Sequence, residues 1–331
     1  MSILLTSNCI LMDGENLVSI CVITYNQEAY ISETLDSLLA QKTNFRFRIF
    51  IGEDKSKDNT RSICEDYARR YADKIELLPS DRNYGMMGNF IRTLEACNGR
   101  YTAVCEGDDY WVDDYKLQKQ FDLLESNPDK VLCFTKSYLV NDKGERTGDN
   151  VGIPIKSEFT FEDVLKTARF FIPTATLFFR NDLPKPFPPF FHHTVSGDIA
   201  LCLMLLQKGN GLCLYEETAV YRHHGGGITK TQEHIDHAFL KLFKTYEDLN
   251  EYYEYKLDHV FRRQLFEMSK TMLMYGSKGK KGVKKLKHAA KSFSLYFKYQ
   301  PRLDIKEVVY YTNVLFFSGI LKVKKKFSSR L

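Results

Sequence analysis

Hydrophobic and polar positions alternate in two regular ways along the first hundred residues. Val18-Ser19-Ile20-Cys21-Val22-Ile23-Thr24 is a nearly unbroken β-branched run, the pattern of a strand buried on both faces of a parallel sheet. Ile31, Leu35, Leu38 and Leu39 then recur at helical spacing and predict an amphipathic helix ending near Ala40. Residues 45–51 read as a second strand, with Phe45, Phe47 and Ile49 alternating against Arg46 and Arg48. A helix with Ile63, Tyr67 and Tyr71 on one face follows, with Asp58 or Thr60 as its N-cap. Residues 75–78 make a third strand. Asn83-Tyr84-Gly85 turns into a helix through Phe90, Leu94 and Ala96, and Gly99 ends it before a fourth strand at 101–104. Such alternation predicts an open, mainly parallel α/β sheet whose ligands sit at the carboxyl ends of the strands.

Further along, residues 131–138 and 175–179 read as strands, and 184–189 is a proline-rich loop. Asp198 opens an apolar helix containing Leu201, Leu203, Leu205 and Leu206, and 212–220 is a strand. Residues 237–274 have helical spacing, with Phe239, Leu242, Phe243, Tyr246 and Leu249 as one core stripe. Val283, Leu286, Ala290, Phe293 and Phe297 then share a face opposite Lys284, Lys285, Lys287 and Lys291. Residues 308–323 are too short and too polar for a membrane span.

Composition adds a boundary to this picture. The 331 residues are 44% hydrophobic and 14% aromatic, enough for a real core, and the net charge of +5 is uneven because lysines crowd the region beyond residue 278. This suggests a domain over 1–229 and a basic, amphipathic helical extension over 230–331. Basic amphipathic helices bind anionic membrane surfaces, whereas no recognition motif accompanies the charge to suggest nucleic acid. The eight cysteines form no C-x-x-C pair and sit in apolar patterns, so buried free thiols are expected in place of zinc ligands. Residues 1–12 carry no basic leader, and no secretory signal is expected.

The loops at the strand ends carry the candidate chemistry. After the first strand stands Thr24-Tyr25-Asn26-Gln27-Glu28-Ala29, which lacks the G-x-G-x-x-G of a dinucleotide-binding dehydrogenase, and no P-loop is present either. After the fourth strand comes Cys105-Glu106-Gly107-Asp108-Asp109-Tyr110-Trp111. Carboxylates crowded this closely repel one another unless something screens them, and hard divalent cations take such oxygens together with water and phosphate. An acidic, solvated turn is the simpler account of the cluster taken by itself. Its place at the end of a strand, beside two other polar loops, favours the metal site.

Taken in order, these segments resemble family 2 glycosyltransferases of the GT-A fold over residues 17 to about 225. Val22-Ile23-Thr24-Tyr25-Asn26 is similar to that family's first strand and turn. Glu53-Asp54-Lys55-Ser56-Lys57-Asp58-Asn59-Thr60 is similar to its D-D-x-S-x-D-x-T motif, Asn83, Gly85 and Asn89 to its N-x-G segment, and Glu106-Gly107-Asp108-Asp109 to its D-x-D-D motif. The resemblance implies a GT-A (Rossmann-like) mixed, mainly parallel sheet flanked by helices. It also implies a nucleotide site of Thr24, Tyr25, Asn26, Glu53, Asp54 and Asn83, with Tyr25 stacked on the base and Asp54 accepting from the base ring N–H. It places Mg²⁺ or Mn²⁺ on Glu106, Asp108 and Asp109, leaving open which of the last two ligates directly. Glu53 and Glu106 depart from the family's more usual Asp.

Gly197-Asp198 resembles the family's catalytic-base motif, so Asp198 would take a proton from an acceptor hydroxyl in an inverting transfer. Tyr221-Arg222-His223-His224 resembles its Y-R-x-H segment, which assigns His224 to the metal and Arg222 to the diphosphate; His192 and His193 are candidates for the acceptor side. The expected protein is a metal-dependent glycosyltransferase moving sugar from a nucleotide sugar, a UDP-sugar, to a glycan or lipid-linked oligosaccharide in surface polysaccharide synthesis, at the inner face of the cell membrane. A nucleotidyltransferase and a non-catalytic binding subunit are the alternatives.

Overall fold

The computed structural model describes residues 17–150, 156–166, 172–194, 196–225 and 232–275, with 294–295 and 298–299 beyond them. The chain divides into two units, Met1–Ile228 and Thr229–Leu331.

In the first unit, β1 (Val18–Thr24) has Val18, Ile20, Cys21 and Val22 fully buried, as a strand covered on both faces must. Next come α1 (Ile31–Leu39), β2 (Phe47–Glu53), α2 (Thr60–Arg70), β3 (Ile75–Leu77), α3 (Gly85–Ala96) and β4 (Tyr101–Glu106). The chain continues through β5 (Tyr110–Trp111), α4 (Lys116–Glu125), β6 (Lys130–Val140), β7 (Arg146–Asn150), β8 (Glu158–Phe159) and α5 (Phe161–Lys166). A 3-10 turn at Thr174–Thr176 leads into β9 (Phe178–Arg180), and a second at Pro189–His193 precedes α6 (Gly197–Leu206) and β10 (Asn210–Arg222).

The strands form one mixed sheet in the order β3-β2-β1-β4-β9-β6-β10-β5, with β7 against β6 and β8 against β10. β3, β2, β1 and β4 run parallel, as do β6 and β10, while β9 is antiparallel to both β4 and β6. The predicted strand at 175–179 is therefore only its second half. Thr176 donates both its main-chain N–H and its hydroxyl to Pro173 O, at 2.9 and 2.7 Å, and this winds 174–176 into a turn before β9 can start.

Register fixes where the loops emerge. Thr24 of β1 pairs with Glu53 of β2, and Ile23 with Glu106 of β4, so the three strands end level with one another. The segments after them leave the same sheet edge side by side. Helix α6 is buried at every position from Ile199 to Leu206, which is the mark of an interior helix and explains why its apolar residues show no single stripe.

In the second unit, α7 (Gln232–Tyr252) and α8 (Asp258–Tyr275) pack by Phe243, Tyr246 and Leu249 against partners that include Phe261. The lysine-rich face expected at 283–297 falls almost wholly outside the described residues. Among the described residues no helix is long and apolar enough to cross a membrane, and the seven described cysteines are buried and unbridged.

Candidate active site

The β1 and β2 loops are laced together before any ligand arrives. Asn26 and Lys55 both adopt left-handed backbone (φ 53° and 58°), which turns Asn26 so that its N–H donates to Ser56 Oγ at 2.9 Å and its Oδ1 accepts from Lys57 N at 2.8 Å. Gln27 N donates to Thr60 Oγ1 at 2.8 Å, and Thr24 donates to the Gln27 side chain at 2.7 Å. Thr24 and Asn26 are thus occupied in building the loop. Tyr25 stands clear of it, 40% exposed, with a ring face available to a flat ligand.

Glu53 and Asp54 face differently. Glu53 is fully buried, accepts Ser56 N at 2.6 Å and has Arg61 at 3.7 Å. It braces the loop from beneath. Asp54 sits at the loop mouth with Oδ1 accepting Tyr84 N at 2.6 Å, while Asn83 Nδ2 donates to its carbonyl at 2.8 Å. Burial raises the Asp54 carboxyl above the usual carboxylate range, against the pull of those amides and of Arg92.

The acidic turn is fixed by a close approach. A Cβ on Gly107 would lie 2.6 Å from Gln27 Oε1 and 2.7 Å from Thr24, so only glycine lets the turn sit against the β1 loop. Asp108 projects to His224, with Nε2 and Oδ2 2.9 Å apart. Asp109 turns the other way. It is 2% exposed, and its Oδ1 accepts the main-chain N–H of Arg222 at 2.9 Å.

Arg222, expected on a diphosphate, is 6% exposed and committed inward: Nε donates to Asp108 O at 3.0 Å, one terminal nitrogen meets Glu33 at 2.5 Å, and the guanidinium lies over the rings of Tyr30 and Tyr110. Arg222 is thus a strut behind the turn. The strut's main-chain N–H holds one oxygen of Asp109, and Asp108 is the residue facing His224.

Glu106 lies between the two halves of the site. Its Oε2 is buried without a hydrogen-bond partner, and burial, reinforced by the charges of Asp108 and Asp198, pushes its carboxyl up to about 8. Burial likewise raises Asp109, with Asp108 and Glu106 adding to it. The Asp108 carboxylate paired with the His224 imidazole, with the orphaned Glu106 oxygen on the same turn, fits a hard divalent cation in donor chemistry. Among the described residues no three His, Cys, Asp or Glu side chains are grouped so as to hold a metal ion, so water and a ligand's phosphates would supply most of the shell.

Asp198 occupies the first turn of α6, where the helix dipole favours a negative charge. Ser196 Oγ and Ile199 N donate to Oδ1, and Thr174 Oγ1 donates to Oδ2 at 3.2 Å. Burial still raises its carboxyl. The preceding Gly197 is squeezed: a Cβ there would lie 2.9 Å from Met87 and from the Phe90 ring, so α6 begins in contact with α3. His192 and His193 are exposed on the 3-10 turn just before it. Thr174 is the site residue that sequence reasoning missed, because it stands just ahead of the strand expected at 175–179, where no motif marks it; Pro173 immediately before it was the available signal.

Comparison with known proteins matches residues 19–185 to the family model described as glycosyl transferase family 2. The uncharacterized protein Rv1520 of Mycobacterium tuberculosis is 35% identical over 221 residues, covering 64% of this chain and 60% of that protein. The chain thus spans less than two thirds of that relative. A dTDP-rhamnosyl transferase, RfbG of Shigella flexneri, is 38% identical over 120 residues, 35% of this chain and 40% of that protein. Among solved structures, S. aureus TarS in complex with UDP superposes with a TM-score of 0.60 at 18% identity, over 86% of this chain and 81% of that one.

Proposed function

Because the chain belongs to glycosyl transferase family 2 and has the GT-A fold, we propose that it transfers a sugar from a UDP-sugar to a hydroxyl of a glycan or lipid-linked acceptor, with inversion at the sugar carbon. The observation that carries this reading is the meeting of Tyr25, Asp54, Asp108 and His224 at one sheet edge, with Asp198 close enough to Glu106 for their charges to interact.

Tyr25 stacks on the base, and Asp54, with one oxygen held by the Tyr84 amide, offers the other to the base imide N–H. Uracil and thymine share that imide. TarS carries UDP and RfbG is named for a dTDP-sugar, which suits a pyrimidine site. Asp108 and His224, with Glu106 nearby and water and the donor's phosphates completing the shell, would hold Mg²⁺ or Mn²⁺, and the ion would offset charge on the departing diphosphate. Asp198 takes the proton from the acceptor hydroxyl as that oxygen bonds to the sugar carbon and the bond to the phosphate oxygen breaks. The three hydrogen bonds on Asp198 pull toward its ionised, proton-accepting form and partly offset the larger, upward effect of burial. A single carboxylate is enough, because the leaving group is already activated, whereas a glycosidase needs two around one bond.

The test is turnover of a donor panel of UDP-, dTDP-, GDP- and CMP-sugars with crude lipid and glycan acceptors. Exclusive use of GDP- or CMP-sugars would refute the pyrimidine-imide reading. Surface polysaccharide synthesis and peripheral attachment to the inner membrane face through residues 278–331 belong to the same proposal. The whole chain should sediment with anionic vesicles and be released by salt, and failure to sediment would count against attachment.

A further inference from the structure

The Thr174–Thr176 turn is gripped through two successive carbonyls. Trp111 Nε1 donates to Ala175 O at 2.7 Å, and Gln120 Nε2 donates to Thr176 O at 2.8 Å. Lys116 lies between the two donors. It is fully buried, its ammonium donates to Gln120 Oε1 at 2.6 Å, and it sits 4.0 Å from the centre of the Trp111 ring. Among the described residues no carboxylate pairs with it. A buried cation satisfied only by an amide and an aromatic face is an expensive way to fill a core position that Leu117 and Leu124 occupy on the same helix.

The far end of the same turn reaches the proton acceptor, since Thr174 donates to Asp198 Oδ2 at 3.2 Å and also faces Glu106. Trp111 is tied to the acidic turn as well. It follows Asp109 by two residues, and its main-chain N–H donates to Ser37 Oγ at 3.1 Å. The Trp111 side chain therefore links the strand just after the acidic turn to the turn that carries Thr174.

We infer that Thr174 is a positioning residue for Asp198, and that Trp111, Lys116 and Gln120 form the buried cradle that fixes Thr174 relative to the acidic turn. This deepens the glycosyl-transfer reading and rests on it. A base free to rotate loses alignment with the hydroxyl it must deprotonate, and misplacement by about 1 Å costs roughly 100-fold in rate.

The experiment compares full-length Thr174→Val, Thr174→Ser, Lys116→Met and Asp198→Asn, with kcat and donor KM measured separately alongside thermal melts. Trp111 is the single tryptophan of the chain, so intrinsic fluorescence reports the cradle directly. Thr174→Val should lose roughly ten-fold or more in kcat with donor KM and melting unchanged, and Thr174→Ser should recover most of it. Lys116→Met should lower kcat in the same sense and shift the Trp111 emission; if it does not fold, the Thr174 pair decides. Wild-type kcat in Thr174→Val, with Asp198→Asn inactive, overturns this inference alone. Wild-type kcat in Asp198→Asn overturns the proton-acceptor assignment beneath it.

Discussion

His224 Nε2 lies 2.9 Å from Asp108 Oδ2, joining the end of β10 to the turn after β4 across 116 residues of chain. The His224 ring also packs against Tyr30 at 4.8 Å, which fixes its orientation. If the pair holds a cation on a diphosphate, Asp108→Ala and His224→Ala should each weaken Mn²⁺ binding in the presence of UDP by about ten-fold or more. Electron paramagnetic resonance titration of free Mn²⁺ measures this. Unchanged affinity in both variants would remove the metal from this pair.

Tyr25 makes a separate claim, because its exposed ring is not needed by the loop beneath it. Tyr25→Ala should raise donor KM by roughly ten-fold, the scale of one base–aromatic stacking contact, while Tyr25→Phe stays near wild type. A donor KM unmoved in Tyr25→Ala would place the base elsewhere.

Arg222 and Glu33 separate a strut from a ligand. Removing a buried arginine that holds the Asp108 carbonyl and stands against two tyrosines should cost on the order of 3 kcal/mol in Arg222→Ala. Glu33→Gln, at the half-exposed end of the pair, should cost under about 1 kcal/mol. Urea melts decide. A diphosphate contact would instead give Arg222→Ala a raised donor KM at undiminished stability.

Much of this geometry is legible in the sequence, for identifiable reasons. The run at Val18–Thr24 has one reading because a strand covered on both faces tolerates little else, and the acidic cluster is visible because the crowding of Glu106, Asp108 and Asp109 calls for an explanation. What sequence does not carry is direction. Adjacent carboxylates on a turn point to opposite sides, so Asp109 faces Arg222 while Asp108 faces His224, and Glu53 disappears under the loop that Asp54 lines. Thr174 carries no motif of its own and stands just ahead of an apolar stretch that reads as strand, so the turn after Pro173 goes unseen. Lys116 and Gln120 left a signal in their spacing, since they share the α4 face of Leu117 and Leu124, where polar residues are out of place.

Lys116 predicts a pH dependence. Burial lowers its pKa to about 7, whereas in the unfolded chain it titrates near the ordinary value of about 10.4. Between those values the unfolded state binds more protons than the folded one, so stability contributed by this residue rises with pH across roughly 7 to 10. The groups facing it are Cys105, Cys133 and Asp113, all of which raise its pKa. Lys116→Met should flatten the slope of unfolding free energy against pH in that window relative to wild type. Parallel slopes in denaturant melts would show that the ammonium is not desolvated.

Metal-dependent sugar transfer at the sheet edge is what most needs a direct test. Purified full-length protein should turn over one nucleotide sugar in the presence of Mn²⁺, and EDTA and Asp108→Ala should each abolish that turnover. Asp198→Asn should lower kcat by roughly 100-fold to 10,000-fold, the usual contribution of a general base. A protein that neither binds nor turns over any donor when acceptor is supplied, or one whose turnover survives EDTA and both substitutions, would contradict it.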